Sequence, residues 1–506
     1  MLLLVSMIQL VFLFENCRYH AEGQEGESLL DIIRRMGLPV PAPCGGKGVC
    51  GKCLVEVEGV GTVQACQFFP DGDLLVHLPG KPALQILTES FWPDNTPELD
   101  LIREKEQLNL GLAIDLGTTT IAVFLEDLQT HQNLGIHSMP NPQAPWGADV
   151  ISRISFCRER DDGTKLLQQT VIEVLDRAAG VLCHDAGLES SRIGRVVVAG
   201  NPTMLHLLAG VNPEPLATYP FTPVFLEEQQ IDGLWRGMHN LRNAHTTLLP
   251  SISGYVGADI TAGLTAVALE KGDGYRLFID IGTNGEIVLW NNHEILTCAT
   301  AAGPAFEGAR ISCGMAGVSG AVSAIKPDGT IETINNAPAI GLCGSGLVDA
   351  VAMMLDQGVL AGDGYLPEPV EIAGNGSKDG VDGRRLALIP QDIREVQLAK
   401  GAIAAGIEVL MQEAGITPQQ VEKVFLAGGF GYALHDWSAS RIGLIPPELL
   451  DRIVRVGNSA GLGARLWLHS SAFRQLVRNT TSRMKYVELS GHPAFNDLFI
   501  MNMAFS

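Results

Sequence analysis

Positive charge is scarce in this chain of 506 residues: 35 Lys and Arg stand against 56 Asp and Glu, a net charge of −21. A surface that acidic repels phosphate backbones and anionic lipid, which argues against nucleic acid or a membrane face as partner. Beyond the N-terminus no run of eighteen apolar residues occurs, so no spanning helix is expected. The apolar start, MLLLVSMIQLVFLF, is too short to span a bilayer and lacks both a cationic leader and a small-residue cleavage site. It reads as a strand, Ile8 to Phe14, turning at Glu15-Asn16 into a second strand, and a cytoplasmic location is expected. Ten cysteines in this length are too dilute for a disulfide scaffold. The twelve histidines form no H-x-x-H or H-E-x-x-H pair, so a histidine-held metal has no support. What is present is 46% hydrophobic residues and 57 glycines, a turn-rich globular composition with material for two to four domains.

The cysteines are unevenly placed. Cys44-GGKGV-Cys50-GK-Cys53 is one tight loop, and Cys66 follows after twelve intervening residues. In a reducing compartment such clusters hold metal more often than they pair. Zinc is the competing reading, but its knuckles use two compact C-x₂-C pairs, whereas this loop alone offers three thiolates. Gly45, Gly46, Gly48 and Gly51 let backbone wrap a bulky inorganic core and aim N–H groups at its sulfides. The spacing fits a [2Fe–2S] cluster held by Cys44, Cys50, Cys53 and Cys66. Cys17 lies outside the pattern. A helix over about 28–36 capped by Ser28, with LVEVEG and LLVHLPG as strands, completes a segment that resembles a β-grasp [2Fe–2S] ferredoxin over about residues 7–80. The short gap to Cys66 departs from both the vertebrate-type and the plant-type ferredoxins. Residues 81–108 read as a linker ending in a short helix.

Beyond the linker the chain repeats itself. LAIDLGTTTIAVF (112–124) aligns with LFIDIGTNGEIVL (277–289), Asp115 matching Asp280 and Gly117 matching Gly282. VLCHDAGLESSRIGRVVVAGN (181–201) aligns with VLMQEAGITPQQVEKVFLAGG (409–429) at a larger offset, so the second copy carries an insertion. A strand ending in Asp, then Gly-Thr in a tight turn, presents N–H groups and hydroxyls to a phosphate, with Mg²⁺ between the carboxylate and the phosphate. Two such turns clamp a polyphosphate across a cleft, and AGGFG lets bare backbone approach a ring or sugar.

Residues of about 109–470 thus resemble the superfamily of acetate and sugar kinases, heat-shock cognates and actin, which is a duplicated ribonuclease H-like fold. The resemblance implies Mg-ATP binding. It assigns Asp115, Gly117, Thr118 and Thr119 to phosphate-1, Asp280, Gly282, Thr283 and Asn284 to phosphate-2, and Gly428, Gly429 and Phe430 to the adenosine motif. The expected domains are a ferredoxin at 1–80, a linker at 81–108, ATPase lobes at 109–270 and 271–470, and a tail at 471–506. The fold class is α+β and α/β multidomain.

Asp149 in GADVISRI and Asp259 in GADITAGL each read either as a helix cap or as the base that orients an attacking water. LCGSGLVD suits phosphate approach or close helix packing. Cys157, Cys183, Cys298, Cys313 and Cys343 read as small buried residues, and Lys400 as part of a solvated helix face.

An ATPase fused to a one-electron carrier suggests reduction of a very low-potential acceptor. Plant-type [2Fe–2S] centres sit near about −400 mV. An acceptor about 100 mV lower costs roughly 2.3 kcal/mol per electron, which a nucleotide can offset only by changing the donor–acceptor complex. The order ferredoxin, linker, duplicated ATPase resembles the reductive activators of corrinoid-dependent enzymes. So do PAPCGGKGVCGKC, AIDLGTTT, ADVISRI, SGYVGADITAGL, IDIGTNGEI, GPAFEGA, CGSGLVD, VQLAKGAI, LAGGFG and the tail YVELSGHPAFNDLFIMNMAF. That resemblance implies ATP-dependent reduction of an inactive Co(II) corrinoid protein of a methyltransferase system to Co(I). It also implies a low-potential electron donor and a homodimer. The linker departs from members that carry a further domain there. Two alternatives are a small-metabolite kinase with a redox ferredoxin, and an electron activator of a radical dehydratase. The second holds a [4Fe–4S] cluster on cysteines inside the ATPase fold, and the N-terminal cysteine loop argues against it.

Overall fold

The computed structural model describes residues 8–14, 17–24, 26–36, 38, 40, 42, 46, 48, 53–78, 95–100, 108–269, 272–372 and 386–505. Cys44, Cys50 and the helix expected late in the linker lie outside these residues.

Strand β1 (Ile8–Phe14) alternates buried residues, Ile8, Leu10, Phe12 and Phe14, with the exposed Gln9 and the half-buried Val11 and Leu13, and it pairs with β2 (Cys17–Gly23) as expected. Helix α1 (Leu29–Arg35) starts where the Ser28 hydroxyl accepts the Asp31 N–H at 3.2 Å, and it buries Leu29, Leu30, Ile32 and Ile33. β3 (Leu54–Val57), β4 (Gly61–Gln64) and β5 (Leu74–His77) complete a sheet of order β2-β1-β5-β3-β4. β1 and β5 are parallel, the β-grasp arrangement. β4 was not expected: its residues are half-buried or exposed, so they give no apolar alternation to read.

Lobe I is built on β6 (Leu110–Leu116), β7 (Thr120–Asp127), β8 (Asn133–Pro140), β9 (Ile193–Gly200), β10 (Gln229–Ile231) and β11 (His245–Leu248), ordered β10-β11-β9-β6-β7-β8. Its helices are α2 (Val150–Glu159), α3 (Gly163–Asp185), α4 (Pro202–Ala209) and α5 (Ala258–Val267). Lobe II repeats the plan. β12 (Tyr275–Ile281), β13 (Gly285–Trp290), β14 (Ile295–Thr300), β20 (Val421–Ala427) and β21 (Ile453–Gly457) follow the order β21-β20-β12-β13-β14, with α7 (Pro390–Glu413) matching α3. In each lobe the central strand is parallel to the late strand and antiparallel to its hairpin partner. β6 and β12 are nearly continuous apolar runs because helices cover both faces of the sheets. The insertion in lobe II contains the sheet of β15 (Ala321–Ile325), β16 (Ile331–Thr333) and β17 (Gly341–Leu342), then α6 (Gly344–Asp356) and the pair β18 (Val370–Glu371) and β19 (Ala387–Leu388).

After β20 come α8 (Gly428–Ala433) and α9 (Asp436–Arg441), and after β21 the chain crosses back. α10 (Ser459–His469) and α11 (Ser471–Arg483) contribute Leu462, Leu466, Trp467, Phe473 and Val477 to the core of lobe I, although the sequence placed everything up to 470 in lobe II. β22 (Met484–Tyr486) then joins the lobe II sheet beside β14, and α12 (Phe495–Met501) packs on α7. The boundary expected at 470 therefore does not separate two packing units. α10 follows β21 as α5 follows β11 in the first copy, so the repeat marks this helix without showing which lobe it packs on.

α10 is tied down by buried charge. Arg465 Nε donates to Glu126 Oε1 at 2.6 Å, and His469 Nε2 lies 3.0 Å from Glu126 Oε2, with all three side chains buried. Glu126→Ala removes the buried carboxylate that Arg465 and His469 share and is expected to destabilise lobe I by about 3–5 kcal/mol, measurable by denaturant unfolding.

α5 serves both lobes. Ala258, Ala262 and Ala266 face the lobe I core, while Ile260 and Leu264 join Phe278, Val288 and Phe425 of lobe II. A Cβ at Gly463 would lie 2.5 Å from the Ala262 backbone, so α5 and α10 cross with their backbones nearly touching.

Candidate nucleotide cleft and cluster loop

The two lobes point the ends of β6 and β12 at each other, and α5 lies between them. Asp115, Asp280 and Asp259 therefore face one another. Burial and the Asp259 charge push Asp115 up to about 7, although Asn458 donates to it. Burial and the charges of Asp259 and Asp115 push Asp280 up to about 7, and burial pushes Asp259 up to about 6. Glu286, opposite Asp280 in the hairpin register, is raised well above the usual carboxylate range by burial and by Asp259 and Asp280. Four converging carboxyls repel one another unless a cation or protons intervene. Among the described residues, no three His, Cys, Asp or Glu side chains group closely enough to hold a metal ion by themselves.

The phosphate-1 turn is braced from behind. A Cβ on Gly117 would lie 2.7 Å from the Thr120 carbonyl, which is why the turn needs glycine. Asn141 Nδ2 donates to Gly117 O at 2.8 Å, and the Asn141 N–H donates to Thr119 O at 2.8 Å. Asn201 Nδ2 donates to Thr118 Oγ1 at 2.9 Å. Arg153, fully buried, donates to Thr118 O at 2.5 Å, Gln143 Oε1 at 3.0 Å and Gly147 O at 2.9 Å. Burial lowers its guanidinium to about 9.

In lobe II the Gly282 N–H donates to Asn284 O at 2.8 Å, closing the phosphate-2 turn. Gly428 has φ +74°, and a Cβ there would sit 2.6 Å from Asp280 Oδ1, so the adenosine motif abuts the phosphate-2 carboxylate. Gly429 faces open space, and Phe430 stacks on Phe306 with centroids 4.8 Å apart.

Asp149 does not join the carboxylates: its Oδ1 accepts the Ser152 N–H at 2.7 Å, and with Ser152 it forms the capping box of α2. Asp259 sits in the first turn of α5, where Gly257 occupies the cap position. The CGSG run serves packing, since a Cβ on Gly344 would strike Phe306 O at 2.0 Å. Lys400 is corrected: it is 1% exposed, donates to Ala504 O and stands over the Phe505 ring at 5.5 Å, so it fastens the C-terminal tail. Of the five other cysteines, four are buried and Cys313 is half-buried.

Arg153, Glu286, Glu307 and Asn458 were not singled out from the sequence. Glu286 was legible as the acid facing Asp280 across the hairpin. Arg153 and Glu307 lie inside the motifs ADVISRI and GPAFEGA without a spacing that marks them, and Asn458 arrives only through the chain crossing.

Glu307 bridges the lobes. Thr283 Oγ1 lies 3.0 Å and 2.9 Å from its two carboxyl oxygens, and the Thr119 hydroxyl also donates to it. Its carboxylate thus takes the hydroxyls of both Asp-x-Gly-Thr turns, the groups expected from the sequence to meet a polyphosphate. Glu307→Gln keeps the hydrogen bonds and removes the competing charge. Nucleotide is expected to bind about tenfold tighter in a fluorescence titration.

In the N-terminal domain, Cys53 and Cys66 are both buried with their sulfurs 3.3 Å apart. Two thiolates bound about 2.3 Å from one tetrahedral metal stand roughly 3.7 Å apart, so this pair fits a shared iron. Gly46 and Gly48 have φ of +95° and +76°, the curled backbone that a cluster loop requires.

Comparison with known proteins places this arrangement. The chain is 30% identical to the corrinoid activation enzyme RamQ of Eubacterium limosum over 573 aligned positions, covering 95% of this chain and 96% of that one. It belongs to the RACo family of corrinoid reductive activators. Residues 110–272 match the RACo middle region, residues 274–506 match the C-terminal ASKHA domain of RACo, and residues 15–76 match a 2Fe-2S iron-sulfur cluster binding domain. This RACo-family chain is also 25% identical to the [Co(II) methylated amine-specific corrinoid protein] reductase of Methanosarcina barkeri over 78% of its length and 77% of the relative's. A solved reductive activator for a corrinoid, iron-sulfur protein superposes with a TM-score of 0.71 at 27% identity over 98% of both chains. No helix among the described residues of this family member is long and apolar enough to cross a membrane.

Proposed function

We propose that this chain is an ATP-dependent reductive activator that passes one electron through a [2Fe–2S] cluster to the Co(II) corrinoid of a partner protein, yielding Co(I). The observation that carries this reading is a cleft in which Asp115, Asp280 and Asp259 converge, in one chain with a ferredoxin domain whose Cys53 and Cys66 thiols meet at 3.3 Å.

In this reading Asp115 and Asp280 would hold Mg²⁺, whose charge would relieve their mutual repulsion. The turns Gly117–Thr119 and Gly282–Asn284 donate to phosphate oxygens from opposite lobes, and Gly428, Gly429 and Phe430 border the adenosine. Asp259 orients the attacking water, since α5 carries it between the lobes. Asp149, committed to its cap, leaves that role. Cys44, Cys50, Cys53 and Cys66 hold the cluster, which supplies one-electron transfer. A low-potential donor, a homodimer and a cytoplasmic location belong to the same reading.

The test is anaerobic. The purified protein, a low-potential reductant and a Co(II) corrinoid protein from the same cell are mixed, and the visible spectrum is followed with and without Mg-ATP. Growth of the Co(I) spectrum only with ATP supports the reading. ATP turnover on a small metabolite, with no Co(I), replaces it by the kinase.

A further inference from the structure

Arg34 stands between the cluster loop and the nucleotide cleft. It lies on α1, where burial lowers its guanidinium while Asp31, and to a smaller extent Cys53 and Cys66, act in the opposite sense. A Cβ on Gly46 of the cluster loop would lie 3.4 Å from its Nη1. Nη1 donates to Asp31 at 3.2 Å, Nη2 donates to the Pro145 carbonyl of lobe I, and Nε is buried with no partner among the described residues.

Pro145 belongs to the short segment that braces the phosphate-1 turn. Asn141 of that segment holds Gly117 and Thr119, and Gln143 and Gly147 hold Arg153, which in turn holds Thr118. A weaker electrostatic link, with no direct contact, runs beside the first. α2, which carries Arg153 near its start, ends at Arg160, whose charge interacts with Asp31 on α1. The segment touching the ferredoxin domain is thus the one that touches the phosphate-1 turn.

We propose that Arg34 is a positioning residue that couples the redox state of the cluster to nucleotide occupancy of the phosphate-1 turn, through the 141–147 segment and α2. This inference rests on the reading that both sites are used, and it names how they communicate. Reduction adds one electron to the cluster with no bond made or broken, and the added charge attracts the guanidinium. Nucleotide acts on the other end, on the turn that Asn141 and Arg153 hold. Because linkage is reciprocal, whatever factor nucleotide affinity gains or loses on reduction must appear as a shift in the midpoint potential.

The test uses the full chain with its cluster assembled, titrated potentiometrically by EPR with and without a saturating non-hydrolysable Mg-ATP analogue. Wild type is expected to shift on nucleotide binding, by 59 mV for each tenfold difference in affinity between the redox states. In Arg34→Met the midpoint without nucleotide falls, since a cation beside the cluster is gone, and nucleotide no longer moves it. Arg34→Lys keeps the charge and so the midpoint, but loses most of the nucleotide shift. Iron content and the visible spectrum establish loading. If the Met variant fails to load, the Lys variant decides. An undiminished nucleotide shift in the loaded variants, or no shift in nucleotide-saturated wild type, overturns the proposal. No corrinoid protein enters this experiment, so its failure leaves the activator reading standing, and failure of Co(I) formation leaves this coupling measurable.

Discussion

Asp280→Asn is expected to abolish ATP-dependent Co(I) formation while making the nucleotide-free protein harder to unfold. The two effects have one cause. Asp280 is raised from its ordinary 3.8 to about 7 by burial and by Asp259 and Asp115. A carboxyl raised in the folded state contributes its full stability below the unfolded value of 3.8, and that contribution is lost as pH climbs through about 7. At pH 8 the wild-type cleft therefore holds repelling charges, and asparagine removes one of them. After allowance for solvent screening, a gain of about 2 kcal/mol is expected, or about 4–8 °C in Tm. The gain should fade on acidification toward pH 4, where the aspartate is already protonated. In the proposed reading Mg-nucleotide needs the ionised carboxylate, so turnover should drop about 10²–10³-fold. Thermal melts at pH 8 and pH 5 beside an ATPase assay check both arms. A variant that is both inactive and less stable would refute the electrostatic account.

By the same reasoning, wild-type affinity for Mg-nucleotide should weaken as pH falls from 8 through about 6, the range over which Asp115, Asp280 and Asp259 take up protons. Isothermal titration at several pH values measures it.

Cys66→Ser should remove the cluster and all Co(I) formation, with ATP binding retained. Cys66 is the proposed ligand for which spacing alone argues least, because its gap to Cys53 matches neither common ferredoxin type. The 3.3 Å approach of the two sulfurs supplies the missing argument. Serine at 66 leaves Cys53 without its neighbour on the shared iron, and the visible absorption and iron content should fall to near background. Retained nucleotide binding separates cluster loss from unfolding, since the lobes have cores of their own. A Cys66→Ser protein with a normal spectrum would exclude Cys66 as a ligand.

The sequence made some features plain and hid others for identifiable reasons. β1, α1 and the two Asp-x-Gly-Thr hairpins were legible because their signals are local: alternation, a Ser cap, and a glycine turn between apolar runs. Asp149 and Asp259 looked alike, each an acid after Gly-Ala at a helix start. Their separation depends on Ser152 answering one in a capping box and on α5 carrying the other between two lobes. Lys400 looked solvated because nothing in its helix reveals that the tail around Ala504 and Phe505 returns to cover it.

The amino-acid sequence by itself thus determined the ferredoxin segment, the duplication and both Asp-x-Gly-Thr hairpins, since each is written in spacings of a few residues. The tertiary structure alone decided which carboxyls converge, that Glu307 spans both turns, that α10 and α11 return to lobe I, and that Arg34 reaches the segment behind the phosphate-1 turn. Those facts depend on where three chain crossings and one helix shared between lobes bring distant residues, and no local pattern encodes such a meeting.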